Sequence, residues 1–223
     1  STDGGITWSG FAGNVATDKG GGTIAASTDG KSFVWAPGDT SVQYRIGADW
    51  SASAGIPGQA QVASDRVAAG VFYGFKEGEL FVSRDGGRSF SAAQSKLPAD
   101  GRLYVRPGIR GDVWLASPTG GIYRAEGGND IRLTKLDTVS SADLLGFGAP
   151  PRGSKTPTVF LWGKVDNSPV ALFRSTDDGA KFVRINDDLH QWPVGARAVV
   201  GDMRKFGVVY IGTNGRGIIM GEP

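Results

Sequence analysis

Ser83-Arg84-Asp85-Gly86-Gly87-Arg88-Ser89-Phe90 is the stretch on which the fold turns, because the chain contains it three times. Ser1-Thr2-Asp3-Gly4-Gly5-Ile6-Thr7-Trp8 and Ser175-Thr176-Asp177-Asp178-Gly179-Ala180-Lys181-Phe182 share its pattern, Ser-x-Asp-x-Gly-x-x-aromatic. Two weaker copies lie between them. Gln43 to Trp50 keeps Gly47 and Trp50 but has Arg45 in the aspartate's place, and Ala125 to Ile131 has lost the aspartate and one residue of length. The closing residues Trp8, Trp50, Phe90, Ile131 and Phe182 fall 42, 40, 41 and 51 residues apart. A repeat of about 40 residues suits a four-stranded antiparallel blade, so the spacing predicts an all-β chain folded as a β-propeller. The longer last interval predicts an inserted loop around Pro150–Pro157.

Each residue type in the motif has a mechanical reason. A short aspartate at a turn accepts hydrogen bonds from backbone amides that a hairpin leaves unpaired. The glycine two places later adopts a left-handed conformation that a Cβ disfavours. The closing Trp or Phe opens the next strand and has a large apolar surface to bury. Strand-like runs flank the motif, Leu80-Phe81-Val82 before Ser83 and Val170-Ala171-Leu172-Phe173 before Ser175. Thr23–Ala26 with Phe33–Trp35 bracket Asp29-Gly30, and Val208–Ile211 with Ile218–Met220 bracket Asn214-Gly215, which reads as a type I′ hairpin turn. No long amphipathic helix is readable.

Composition agrees with many short strands and tight turns: 36 glycines, 11 prolines, 11 phenylalanines, 6 tryptophans and 5 tyrosines in 223 residues. The 24 Lys and Arg against 22 Asp and Glu are scattered, so no basic surface for nucleic acid or anionic membrane is indicated. The absence of cysteine excludes disulfides, thiolate metal sites and a cysteine nucleophile, but not secretion. No apolar run approaches the ~20 residues of a membrane span. A first residue inside a motif reads as a chain taken from something longer.

The recurrence of Asp3, Asp85 and Asp177, each with its glycine (Gly5, Gly87, Gly179) and aromatic (Trp8, Phe90, Phe182), argues for a structural role, since an active site occurs once. The stretch from Ile185 to Trp192 differs. It holds the sole histidine, His190, two adjacent aspartates, the amides Asn186 and Gln191, and Trp192. One histidine makes a poor metal set, and no metal or other cofactor is expected. Amides, a carboxylate and a flat aromatic suit a sugar, while a loop capped by its own hydrogen bonds is the plain structural alternative. Gly212 to Gly217 lacks the spacing, lysine and helix of a phosphate-binding loop. His190 has no Gly-x-Ser-x-Gly elbow to serve.

The three motifs, the phrase Arg184-Ile185-Asn186-Asp187-Asp188-Leu189-His190-Gln191-Trp192 and the phrase Val209-Tyr210-Ile211-Gly212-Thr213-Asn214-Gly215-Arg216-Gly217-Ile218 together resemble the end of a glycoside hydrolase family 74 xyloglucanase. Val62 to Val67, Thr23 to Ser27 and Phe33-Val34-Trp35 are also similar to that family, so the resemblance covers essentially the whole chain. The motif alone, known as the Asp-box or BNR repeat, is shared with sialidases and sortilin-type receptors; the late phrases are more specific.

The resemblance implies a secreted enzyme with two facing seven-bladed propellers and a xyloglucan-binding cleft between them. Residues 1–223 would then be about five blades of the C-terminal propeller, with the rest of that protein as partner. It implies inverting hydrolysis by two aspartates, which need ~6.5–9.5 Å between them for a water. In the family the base lies in the first propeller and the acid near the start of the second, within a Gly-Asp…Gly-Phe phrase. Gly201-Asp202 is followed by Met203-Arg204, so the acid is not carried onto Asp202 and no catalytic residue is assigned here. His190, Gln191, Trp192 and Trp50 are the expected substrate contacts. The alternative is a non-catalytic Asp-box propeller that binds glycan or protein. A sialidase ranks last, because Arg45, Arg84, Arg174 and Arg184 lie in or beside the repeated hairpins instead of forming a separate cluster.

Overall fold

The computed structural model describes residues 3–9, 21–191 and 197–222. Among them the strands form five antiparallel meanders in chain order. The first is β1 (Thr23–Ala26), β2 (Ser32–Ala36), β3 (Gln43–Ile46) and β4 (Trp50–Ala52), and the second β5 (Gln61–Ser64), β6 (Phe72–Lys76), β7 (Glu79–Ser83) and β8 (Ser91–Gln94). The third is β9 (Arg102–Val105), β10 (Val113–Ser117), β11 (Gly121–Arg124) and β12 (Thr134–Leu136). The fourth is β13 (Val139–Gly148), β14 (Thr158–Val165), β15 (Ala171–Ser175) and β16 (Val183–Arg184), and the fifth is β17 (Ala198–Gly201), β18 (Val209–Gly212) and β19 (Ile218–Gly221).

The all-β class therefore stands, but the β-propeller expectation is corrected. The strands make five separate open sheets, none closed on itself, and the chain divides into two compact units. The physical reason is that a 40-residue period specifies a four-stranded meander, whose strands are neighbours in sequence; ring closure depends on how meanders are disposed, which the period does not encode.

One unit comprises Ser1–Lys76 with Phe81–Ala92. Its core gathers Val34, Val42, Phe72, Phe81 and Phe90. On β2 the alternation of buried Ser32, Val34 and Ala36 with half-buried Phe33 and Trp35 shows one face turned inward. Asp65, fully buried, accepts from the amides of Val67 (2.8 Å) and Ala68 (2.7 Å) and from the Tyr73 hydroxyl (2.6 Å), so this carboxylate closes the turn between β5 and β6.

The other unit comprises Glu77–Leu80 with Ala93–Pro223. Its larger core holds Trp114, Ile122, Leu145, Leu161, Phe173 and Phe182, and a second cluster holds Leu144, Phe160, Trp162, Leu172 and Ile211. All five residues of β10 are buried, as expected of a central strand covered on both faces. The long interval before Phe182 is taken up by the ten-residue β13 and eight-residue β14 as well as by the 149–157 connection. The Asn214-Gly215 hairpin also differs from expectation. Gly212 pairs with Ile218 across a five-residue loop in which Thr213 Oγ1 donates to Gly217 O (2.8 Å), and Asn214 has no positive φ. The threonine supplies a closure that a two-residue type I′ turn does not need.

The motif copies at Asp85 and Asp177 are corners between the third and fourth strands of a meander; the copy at Asp3 makes the same turn with no strand beside it among the described residues. Asp85 Oδ1 accepts from the Ser89 amide (3.0 Å) and Oδ2 from the Ser89 hydroxyl (2.6 Å), while Ser83 Oγ accepts from the Gly87 amide (3.0 Å). Asp177 repeats this with the Lys181 amide (2.9 Å), and Ser175 Oγ with the Gly179 amide (2.9 Å). Asp3 accepts from the Thr7 amide (3.0 Å) and hydroxyl (2.5 Å). Gly87 has φ +92°, and a Cβ there would stand 2.3 Å from Val34 Cγ2, so both conformation and close approach require glycine. Phe90 and Phe182 are only 5% and 8% exposed, a burial that contributes about 1.5–3 kcal/mol per side chain. Trp8, by contrast, is 80% exposed and covers no comparable surface. At the weak copy, Arg45 Nε donates to Ala48 O (2.9 Å), closing with a donor the turn that aspartate closes with an acceptor.

Candidate functional site

The segment 185–191 leaves β16 as a loop tied back to β15. Asn186 Oδ1 accepts from the Leu172 amide (2.8 Å), and its Nδ2 donates to His190 O (3.0 Å). Asp187 Oδ1 accepts from the amides of Leu189 (2.9 Å) and His190 (2.8 Å) and lies 2.6 Å from His190 Nδ1. The carboxylate thus folds the loop into a tight turn and fixes the imidazole's edge against it. The His190 contact, offset by slight burial and aided by the His190 amide, holds the Asp187 carboxyl below its ordinary value. Asp187 and His190 remain 62% and 56% exposed, so the pair faces water. Arg184 Nη2 pairs with Asp188 Oδ1 (2.6 Å); with the Gln191 side-chain amide oriented to match its donors and acceptors, its oxygen accepts from Arg184 Nη2 (2.6 Å) and its nitrogen donates to Val170 O (3.3 Å).

His190 and Gln191 are therefore brought together on one loop, with Gln191 engaged in holding it. Trp192 lies outside the described residues. Trp50 belongs to the other unit, half-buried at the start of β4, its ring in edge contact with Trp35 at 6.1 Å between centroids. A single tryptophan in a strand pattern carries no sequence signal for a site; the alternation of Phe33 and Trp35 on one face of β2 is what places Trp35 beside Trp50. A concavity of about 270 Å³ in the same unit is lined by Gly22, Thr23, Pro37, Gly38, Gln59 and Gln61, and includes none of the expected contacts.

Asp202 caps the β17–β18 turn, its Oδ1 accepting from the amides of Arg204 (2.7 Å) and Lys205 (3.1 Å). Asp143 had no signal in the sequence. It sits where the register of β13 shifts between Ala142 and Leu144, and burial, the largest influence, pushes its carboxyl up. Among the described residues no three His, Cys, Asp or Glu stand together as a metal site, and no helix is long and apolar enough to cross a membrane.

Sheets of this kind with an exposed polar loop define a class only broadly, and the comparisons narrow it. No family model matches the chain. All of it aligns at 42% identity with a xyloglucanase of Paenibacillus sp, covering 22% of that protein, and at 39% identity with the xyloglucanase Xgh74A of Acetivibrio thermocellus, covering 27%. The fold superposes on the crystal structure of a GH74 xyloglucanase from Xanthomonas campestris with a TM-score of 0.86 at 35% identity, covering 100% of this chain and 32% of that one. These are glycoside hydrolases. This chain belongs to glycoside hydrolase family 74, and it spans between a fifth and a third of the length of the relatives it matches.

Proposed function

We propose that the chain is a non-catalytic, glycan-contacting part of a secreted β-1,4-glucanase that hydrolyses xyloglucan with inversion, its two catalytic carboxylates lying outside these residues. The observation that carries this reading is end-to-end alignment with proteins named xyloglucanases, at 42% and 39% identity. The rest of the same protein is then its partner, and the 186–191 loop contributes contacts to the glucan, with Trp192 and, separately, Trp50 as further proposed contacts. An imidazole held by Asp187 offers a rigid polar edge to sugar hydroxyls, and an indole offers a face to a pyranose ring. Asp187 is occupied by three local donors, which suits a positioning group more than an acid or base.

A second reading, a binder of glycan or protein with no part in hydrolysis, draws on that same engagement of Asp187. Incubating the intact protein with xyloglucan separates the two, since only hydrolysis produces new reducing ends. Titration with xyloglucan oligosaccharides then tests the loop. His190→Ala and Trp192→Ala should each weaken binding, and unchanged affinity in both would remove the loop from the site.

A further inference from the structure

The third corner breaks the pattern of the other two. The residue after the motif aspartate is Gly4 at φ +73° and Gly86 at φ +81°, but Asp178 at φ +63°. That conformation disfavours residues with a Cβ, although aspartate tolerates it better than most. Something must offset the local preference for glycine.

What offsets it is a buried cluster on the third sheet. Arg106 and Asp112 are both fully buried. Arg106 Nε donates to Asp112 Oδ2 (2.6 Å), and its Nη2 is ion-paired with the same oxygen. Asp112 Oδ1 accepts from Trp114 Nε1 (2.6 Å) and from Arg124 Nε (3.3 Å). Both guanidinium groups lie over the Trp114 ring, Arg106 at 5.7 Å and Arg124 at 4.9 Å from its centroid. Asp112 can balance only one of these two cations. Asp178 supplies the second negative charge: its Oδ1 is ion-paired with Arg106 Nη1 and lies 3.5 Å from Arg124 Nη2, and its carbonyl accepts from Arg124 Nη1 (3.1 Å). Next to it, Gly179 lies so close to the sheet that a Cβ would meet Leu136 Cδ1 at 2.9 Å and Trp114 Cη2 at 3.3 Å.

We propose that Asp178 is a charge latch that fastens the β15–β16 corner to the sheet β9–β12 by completing the charge balance of buried Arg106 and partly buried Arg124. The second corner is fastened differently, through the Gly86 amide on Gly70 O (3.0 Å) and the packing of Gly87 on Val34. The latch is half-open to solvent, because the Asp178 side chain is 42% exposed while Arg106 is not exposed at all. Charge removal and salt therefore loosen this corner more than the second one.

The test uses the intact protein that contains this chain. On backbone preference alone Asp178→Gly should stabilise; with the latch it lowers Tm by about 5–10 °C. Asp178→Asn, which keeps size and turn preference but removes the charge, should also lower Tm. Adding Arg106→Met to Asp178→Gly should recover part of the loss. Should the variants not fold, hydrogen exchange of the wild-type protein decides the matter. In 1 M salt, exchange should rise at residues 175–182, and by more than at 83–90. A Tm that holds or rises in Asp178→Gly, an Asp178→Asn protein as stable as wild type, or salt-independent exchange at 175–182 would each overturn the latch.

Discussion

The Ser83–Phe90 corner and the Asn186–Gln191 loop use one chemical device for different ends. In each, a short carboxylate gathers donors from the residues just after it: the Ser89 amide and hydroxyl on Asp85, and the Leu189 and His190 amides with the imidazole on Asp187. The corner then delivers a buried aromatic, Phe90, into the core, and Gly87 into contact with Val34 and Tyr44. The loop delivers only exposed groups, with Leu189 92% exposed and His190 56% exposed. A carboxylate that closes a turn is therefore not diagnostic; what the turn presents afterward, to core or to water, separates scaffold from candidate site.

This contrast is breakable by substitution. The largest effect is expected for Gly87→Ala, where a Cβ must fit 2.3 Å from Val34 Cγ2 at a φ of +92°; a loss of about 3 kcal/mol is expected, read by denaturant unfolding. Asp85→Ala follows, at about 1–2 kcal/mol, because the Ser89 amide loses its acceptor. Next comes pH. Burial pushes the Asp85 carboxyl up, but the hydrogen bonds from Ser89 and Ser83 outweigh it and hold the carboxyl below the ordinary aspartate value. A depressed folded-state pKa contributes stability above the unfolded value of about 3.9 and loses it as pH falls through the folded value. Unfolding followed between pH 6 and pH 2 should therefore show Asp85→Ala converging on wild type at the acid end. The smallest stability effect is expected for His190→Ala, within about 0.5 kcal/mol, since the ring is largely in water.

Much of this architecture was legible because its signals are local. Aspartate, glycine and aromatic at fixed offsets, recurring about every 40 residues, mark meanders whose strands are sequence neighbours. The β-propeller ring that the period suggested is not what the sheets form, since closure is a relation among sheets that the period does not encode. Asn214-Gly215 suggested the shortest hairpin, and the Thr213 hydroxyl, a residue outside that dipeptide, made a wider loop instead. The Arg106–Asp112–Arg124–Asp178 cluster joins residues as far as 72 positions apart, with no periodicity to betray it. For the loop, composition singled out His190 and Gln191, while the engagement of Gln191 with Arg184 and Val170 needed coordinates.

The most direct test of the division between scaffold and proposed glycan-facing loop is calorimetric titration of the intact protein with a xyloglucan oligosaccharide, run on wild type, Asp85→Ala and His190→Ala at a temperature where all three are folded. The expected result is wild-type affinity for Asp85→Ala and about fivefold weaker binding for His190→Ala. Wild-type binding by His190→Ala, with affinity lost in Asp85→Ala, would contradict the account.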